Sequence, residues 1–317
     1  MASGDYAVTE VQVPVSCIRC TPVRFKAAAL AATLLLSIAC AGQDMKQLRV
    51  DAEQGDADAQ NDLGLMYASG RGGPENDAEA VKWFRLAAEQ GDASAQSILG
   101  VMYRNGDGVP ENDAEAVKWF RLAAEQGDAY GQFILGVMYR NGEGVPENDA
   151  EAVKWYRFAA ERGDARAQSI LGLMYDNGEG VPENDAEAVK WYRLAGEQGY
   201  AGAQYNLGVM YANGEGVPEN DAEAVKWFRL AGEQGHVRAQ FNLGVMYANG
   251  EGILRSGAAA ADEFYKAGLA YLKLGQKEDA LRCVERIRNL EAGLDLTVPN
   301  MNMLLADQLL RAVYPKN

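Results

Sequence analysis

The chain has a single histidine, His236, among 317 residues, and it contains no Ser-x-x-Lys, Gly-x-Ser-x-Gly or His-Glu-x-x-His segment. One imidazole leaves little room for ordinary general-base chemistry, and the missing segments remove the common serine and zinc hydrolase signatures. Cysteine is also scarce, with Cys17, Cys20, Cys40 and Cys283 only. The pair in Cys17-Ile-Arg-Cys20 has redox or zinc spacing, but zinc needs two further ligands and His236 is far away in sequence. Cys283 lies in a helical stretch and reads as a small core residue. Basic side chains are outnumbered, 30 against 45 acidic, for a net charge of −15. That balance argues against nucleic acid and against anionic lipid headgroups, both of which need a basic face. It suits a long surface that must stay soluble. No catalytic residue, metal site or cofactor is expected.

Long apolar runs are missing as well. The uncharged run from Ala27 to Gln43 has 17 residues, short of the roughly 20 that a spanning helix needs. It follows Arg19, Arg24 and Lys26 and ends in small residues, the pattern of a secretory signal. Two cleavage readings stay open. Ala39-Cys40-Ala41 offers small residues to an ordinary signal peptidase, with the chain beginning at Gly42. Ser37-Ile38-Ala39-Cys40 instead resembles a lipobox, with Cys40 lipidated, although Leu36 stands one residue too early. The expected location is accordingly exported, either periplasmic or membrane-anchored through an N-terminal lipid. The stretch before Arg19 is long for a signal's leading region, which points to a start downstream of Met1.

What the chain does have is a strict period. Glycine recurs at Gly55, Gly91, Gly127, Gly163, Gly199 and Gly235, always 36 residues apart, and all five tryptophans (Trp83, Trp119, Trp155, Trp191, Trp227) keep the same spacing. The decapeptide Pro-Glu-Asn-Asp-Ala-Glu-Ala-Val-Lys-Trp, as at Pro110–Trp119, is identical in all five full units. A fixed period of this size means a solenoid or an array. Each unit reads as two helices. In the unit Gly91–Gln126, Ala95, Leu99 and Tyr103 lie on one stripe of the first helix at a 3.6-residue period, and the segment Asn105–Pro110 ends that helix by glycine and proline. Asn112 then caps a second helix, and Glu115 completes a box-like pair. Ala116, Phe120 and Ala123 line its buried side.

The repeated Gly-x-Gly, as at Gly106 and Gly108, lacks the third glycine of a nucleotide fingerprint and follows a helix, so turn geometry explains it. The stacked Glu-Asn-Asp segments could attract Ca²⁺ down one edge. Helix capping accounts for the same residues without an ion.

The pattern Ala-x-Ala-Gln-x-x-Leu-Gly-x-Met-Tyr, then Gly-x-Gly-Val-Pro, then Ala-Val-Lys-Trp-Phe/Tyr-Arg-x-Ala resembles the Sel1-like repeat, a relative of the tetratricopeptide repeat, over residues 55–252. The resemblance implies an all-α, right-handed α-solenoid of stacked helix pairs. It also implies a non-enzymatic adaptor or scaffold of the bacterial envelope that holds a protein or peptide in a concave groove. A cysteine-rich branch of that family is linked to β-lactam binding and hydrolysis, but paired cysteines are missing from every repeat here. An envelope polymer such as peptidoglycan is a further candidate ligand.

Four regions follow: 1–41 with the signal, 42–54 as a half-repeat cap, 55–252 as five full units and a half, and 253–317 as a tetratricopeptide-like unit with a capping helix at about Met301–Tyr314. Whether Ala258–Leu274 closes the sixth unit or opens the next is left open by the sequence. Positions that vary among near-identical units mark where recognition could reside. Positions 94, 97, 98, 101 and 104 form one first-helix stripe, which the resemblance places in the groove. The irregular aromatics and arginines near it are the candidate anchors: Arg104, Tyr130, Phe133, Arg140, Arg166, Tyr205, Arg238 and Phe241. The competing reading is that Phe133 and Phe241 fill gaps between neighbouring helices.

Overall fold

The computed structural model describes residues 45–71, 74–290 and 301–314. Every regular element among them is a helix. Cys17, Cys20, Cys40 and the 27–43 run lie outside the described residues, and none of the described helices is long and apolar enough to cross a membrane. The chain divides into two compact units at Asp164 and Ala165.

The first unit holds α1 (Met45–Glu53), α2 (Ala57–Ser69), α3 (Asp77–Glu89), α4 (Ala93–Asn105), α5 (Asp113–Glu125), α6 (Ala129–Asn141) and α7 (Asp149–Glu161). The second holds α8 (Ala165–Asn177), α9 (Asp185–Glu197), α10 (Ala201–Asn213), α11 (Asp221–Glu233), α12 (Val237–Asn249), α13 (Gly257–Lys273), α14 (Lys277–Asn289) and α15 (Met301–Val313). Within each unit the helices pack as sequential pairs, each pair stacked on the next.

The start and stop signals act where the sequence puts them. The side chain of Asn112 accepts a hydrogen bond from the Glu115 backbone N–H at 3.1 Å, and the same cap opens α3, α7, α9 and α11. The expected return contact from Glu115 does not form. The Asn112 N–H is already donated to the Tyr103 carbonyl at 2.8 Å, which closes the inter-helix loop. Glu115 is thereby left for Lys118, 2.5 Å away. At the other end of α4, Gly106 takes φ +76° and gives its N–H to Met102.

Two close approaches explain the repeated glycines. A Cβ on Gly100 would sit 3.0 Å from the Phe120 ring, and one on Gly136 would sit 2.8 Å from Tyr156. Gly64, Gly172, Gly208 and Gly244 face Phe84, Tyr192, Phe228 and Phe264 in the same way. The second glycine of the loop does more than turn. A Cβ on Gly108 would stand 2.4 Å from the Asp77 carbonyl, so this loop rests on the start of the preceding unit's second helix.

Packing also settles the sixth repeat. Phe264 of α13 meets Gly244 of α12 as Phe228 meets Gly208, 36 residues earlier. Helix α13 thus closes the sixth unit, and it then packs against α14 and α15 as well. Leu309 of α15 presses on Gly268, and Cys283 is fully buried in the same core. Burial pushes the Cys283 thiol up to about 12, which leaves it inert at neutral pH.

Candidate interaction surface

A glutamine ladder fixes the spacing of consecutive repeats. Buried Gln96 donates its amide to the Ala88 carbonyl at 3.0 Å, and its Oε1 accepts from Gln126 at 2.7 Å. The Gln60–Gln90, Gln168–Gln198 and Gln204–Gln234 pairs repeat the second bond. Arginine replaces the donor at 162 and alanine at 270. The buried Oε1 atoms of Gln132 and Gln240 consequently have no partner among the described atoms.

This framework sets where the variable first-helix side chains go. The 94–104 stripe is not a uniform free face, because Ser97, Ile98 and Val101 are buried against neighbouring helices while Ser94 is exposed and Arg104 half-buried. Position 97 in fact touches the next repeat: Ser97 Oγ donates to Asp128, the cap of α6, at 2.6 Å.

Arg104 forms an ion pair with Glu143 of the following loop, at 2.8 Å. Tyr130 is half-buried, edge-on to Phe120 at 6.5 Å, and Phe133 packs on Tyr156 at 5.8 Å. Arg140 is half-buried. Burial drives the Tyr156 hydroxyl far above its ordinary range, with Arg140 and Arg104 opposing the rise and Glu143 adding to it. Tyr156 is thus packed by Phe133 and lies within reach of the Arg104 and Arg140 charges. Arg166 is exposed.

In the second unit Tyr205 stacks on His236 at 4.6 Å and leans on Phe228. Burial raises the Tyr205 hydroxyl, while the Arg238 charge and hydrogen bond pull it down. Tyr271 belongs to the same neighbourhood. Arg238 itself remains exposed. Phe241 packs on Phe264 at 5.3 Å, with Arg286 over its ring at 6.0 Å. The aromatic anchors thus spend one face on packing, and Arg166 and Arg238 are the exposed members of the set.

His236 stands half-buried at a helix start. Its Nδ1 accepts the Ala239 N–H at 3.3 Å as the cap of α12. Burial, followed by the Arg238 charge, pulls its imidazole down to about 4.

Sequence reasoning passed over an exposed apolar row on the second helices. It comprises Val50, Leu86, Leu122 and Phe158 in the first unit and Leu194 and Leu230 in the second. Its signal was available in the 36-residue spacing of these positions. A cavity of about 180 Å³, lined by Arg229, Leu243, Tyr247, Glu263 and Lys266 among others, is smaller than the roughly 300–1,000 Å³ of small-molecule clefts. No cluster of three metal-ligating side chains occurs among the described residues.

Comparison with known proteins agrees with this architecture. The Sel1 repeat model matches six consecutive segments, 57–92, 93–128, 129–164, 165–200, 201–236 and 237–268. A protective antigen present in uropathogenic Escherichia coli strains, displaying an SLR fold, is 36% identical with a TM-score of 0.75. The match covers 86% of this chain, which spans 56% of that protein's length. A Sel1 repeat protein from Oxalobacter formigenes is also 36% identical, with a TM-score of 0.62, over 75% of this chain and 96% of that one. No curated protein matches. With six matched repeats built on one recurring set of glycine, glutamine and asparagine contacts, the chain belongs to the Sel1 repeat family.

Proposed function

We propose that this protein is a non-enzymatic scaffold that binds a partner protein or peptide on its first-helix face. The observation that carries the reading is a division of labour within each repeat. Framework contacts such as Gly100–Phe120 and Gln96–Gln126 recur from unit to unit. First-helix positions such as 166 and 238 instead project side chains that change between copies, as Ser94, Tyr130, Arg166, Gly202 and Arg238 do. A regular frame with irregular aromatics and arginines suits macromolecular recognition. The lone imidazole, committed to capping α12, supports the non-enzymatic part.

The same reading places the protein in a bacterial envelope, exported by its N-terminal segment and either anchored through Cys40 or released after it. The 27–43 run and its basic flank support export, as does the likeness to a protective antigen. Palmitate labelling that disappears with Cys40→Ala supports anchoring; unlabelled wild-type protein retires it.

The test of the scaffold reading is crosslinking capture from the native envelope with wild type and with the Arg166→Ala/Arg238→Ala double variant. A partner held by wild type and lost by the folded double variant is expected. Retention of every partner by the variant rejects the first-helix site.

A further inference from the structure

The sixth repeat lacks the tryptophan of the five before it. Thirty-six residues after Trp227, α13 carries Glu263, and thirty-six after the exposed Leu230 it carries Lys266. One repeat earlier, Trp227 is buried in a core cluster with Ala195, Ala203 and Leu207. A Cβ on Gly196 would stand 3.2 Å from its ring. The register mate of Gly196 is Gly232, and there the three nearest atoms to an added Cβ all belong to Gln240. The cavity of about 180 Å³ occupies this place. Its lining residues Arg229, Gly232, Leu243 and Tyr247 match Arg193, Gly196, Leu207 and Tyr211, with Glu263 and Lys266 standing for Trp227 and Leu230.

We propose that this cavity is a docking socket for one tryptophan side chain offered by a partner peptide, in the place that the repeat's own ring fills one unit earlier. A cavity of about 150 Å³ admits a benzene ring. The space between α11, α12 and α13 therefore takes a single aromatic side chain, while it falls short of the volume that encloses a whole small-molecule ligand. Buried Leu243 and the bare backbone of Gly232 give the ring an apolar wall. Arg229 and Lys266 bring cations to the rim, as Lys226 lies 5.1 Å from the Trp227 ring. Trp227 Nε1 has no hydrogen-bond partner among the described atoms, whereas the Glu263 carboxylate offers a guest indole N–H an acceptor. That carboxylate is held by Lys266 at 2.9 Å, and Arg229 donates to the Tyr247 hydroxyl at 3.3 Å. Arg229, Glu233 and Lys266 are exposed, so the cavity opens to solvent. Tryptophan is also the side chain that most often anchors a small, well-packed contact. Leu243 and Tyr247 lie off the variable stripe of α12, so this socket and the first-helix site stand or fall separately.

Fluorine NMR titration of the full chain, with a short neutral peptide carrying one fluorinated tryptophan, tests the proposal. Wild type is expected to shift or broaden the fluorine signal to saturation. The free fluorinated amino acid should bind more weakly, because its charged backbone has no place in the cavity. Glu263→Trp/Lys266→Leu rebuilds the residues of the preceding repeat and fills the space from within; it should bind the peptide at least about tenfold more weakly. Photocrosslinking of wild type with a diazirine tryptophan in the same peptide depends on no variant's folding, and its adducts are expected on α11, α12 and α13. A titration that never saturates, equal affinity for the free amino acid, equal affinity of the folded double variant, or adducts confined to other helices each overturns the proposal.

Discussion

Gln126 donates its side-chain amide to Gln96 Oε1 at 2.7 Å, thirty residues earlier in the chain, and so fastens the end of one repeat's second helix to the first helix of that repeat. Where Arg162 takes the donor's place, its guanidinium lies over Gly127, and the buried Gln132 Oε1 has no partner among the described atoms. An unpaired buried acceptor costs about 1–3 kcal/mol. Arg162→Gln should therefore raise the urea midpoint, with a gain of about 1 kcal/mol. Gln126→Ala, which orphans Gln96, should lower it by a similar amount.

Gly100 gives a prediction whose sign opposes helix propensity. Alanine in place of a helical glycine ordinarily stabilises by about 1 kcal/mol. Here the added Cβ would meet three atoms of the Phe120 ring at 3.0 Å, and overpacking of this kind costs about 1–3 kcal/mol. Gly100→Ala should be net destabilising in urea unfolding. Adding Phe120→Leu should recover part of the loss, because the smaller side chain frees the space.

Tyr200 offers a gain. It precedes α10 without a side-chain cap, whereas Asp92 accepts the Ala95 N–H at 2.6 Å at the matching position. A restored cap contributes about 1 kcal/mol. Tyr200→Asp should raise the melting temperature; an unchanged or lower value would show that the exposed Tyr200 ring contributes through packing.

Burial and the Arg238 charge hold the His236 imidazole below its ordinary range. Its folded value is lowered to about 4 from 6.5, so its contribution is present above pH 6.5 and is lost as pH falls through about 4. Protonation also removes the Nδ1 acceptor that caps α12. Wild type should lose about 3 kcal/mol across that window from this group, and His236→Asp, which restores the residue used in other repeats, should lose less. Urea midpoints of both proteins at pH 7, 5.5 and 4 make the comparison.

Much of this was legible because the chain repeats itself. The Asn112 cap, the Gly106 stop and the stripe through Leu99 each follow from local rules, and five copies multiply the signal. What the sequence could not carry were contacts between repeats. Ile98 and Val101 look solvent-facing on a lone helix, yet neighbouring pairs bury them. The Glu115 partner was missed because a loop hydrogen bond from Asn112 to Tyr103 pre-empts the box. Tyr205 looked like an anchor, but its stacking on His236 depends on a residue 31 positions away.

The central claim, that recognition sits on exposed first-helix side chains carried by a passive frame, is tested most directly by calorimetric titration of a captured and purified partner. Wild type and Arg166→Ser/Arg238→Ser would be compared after thermal melting confirms that both are folded. The account predicts at least about tenfold weaker binding for the variant, the loss expected of about 1.4 kcal/mol at anchoring side chains, with little change in melting temperature. Equal affinity of the two proteins would contradict it.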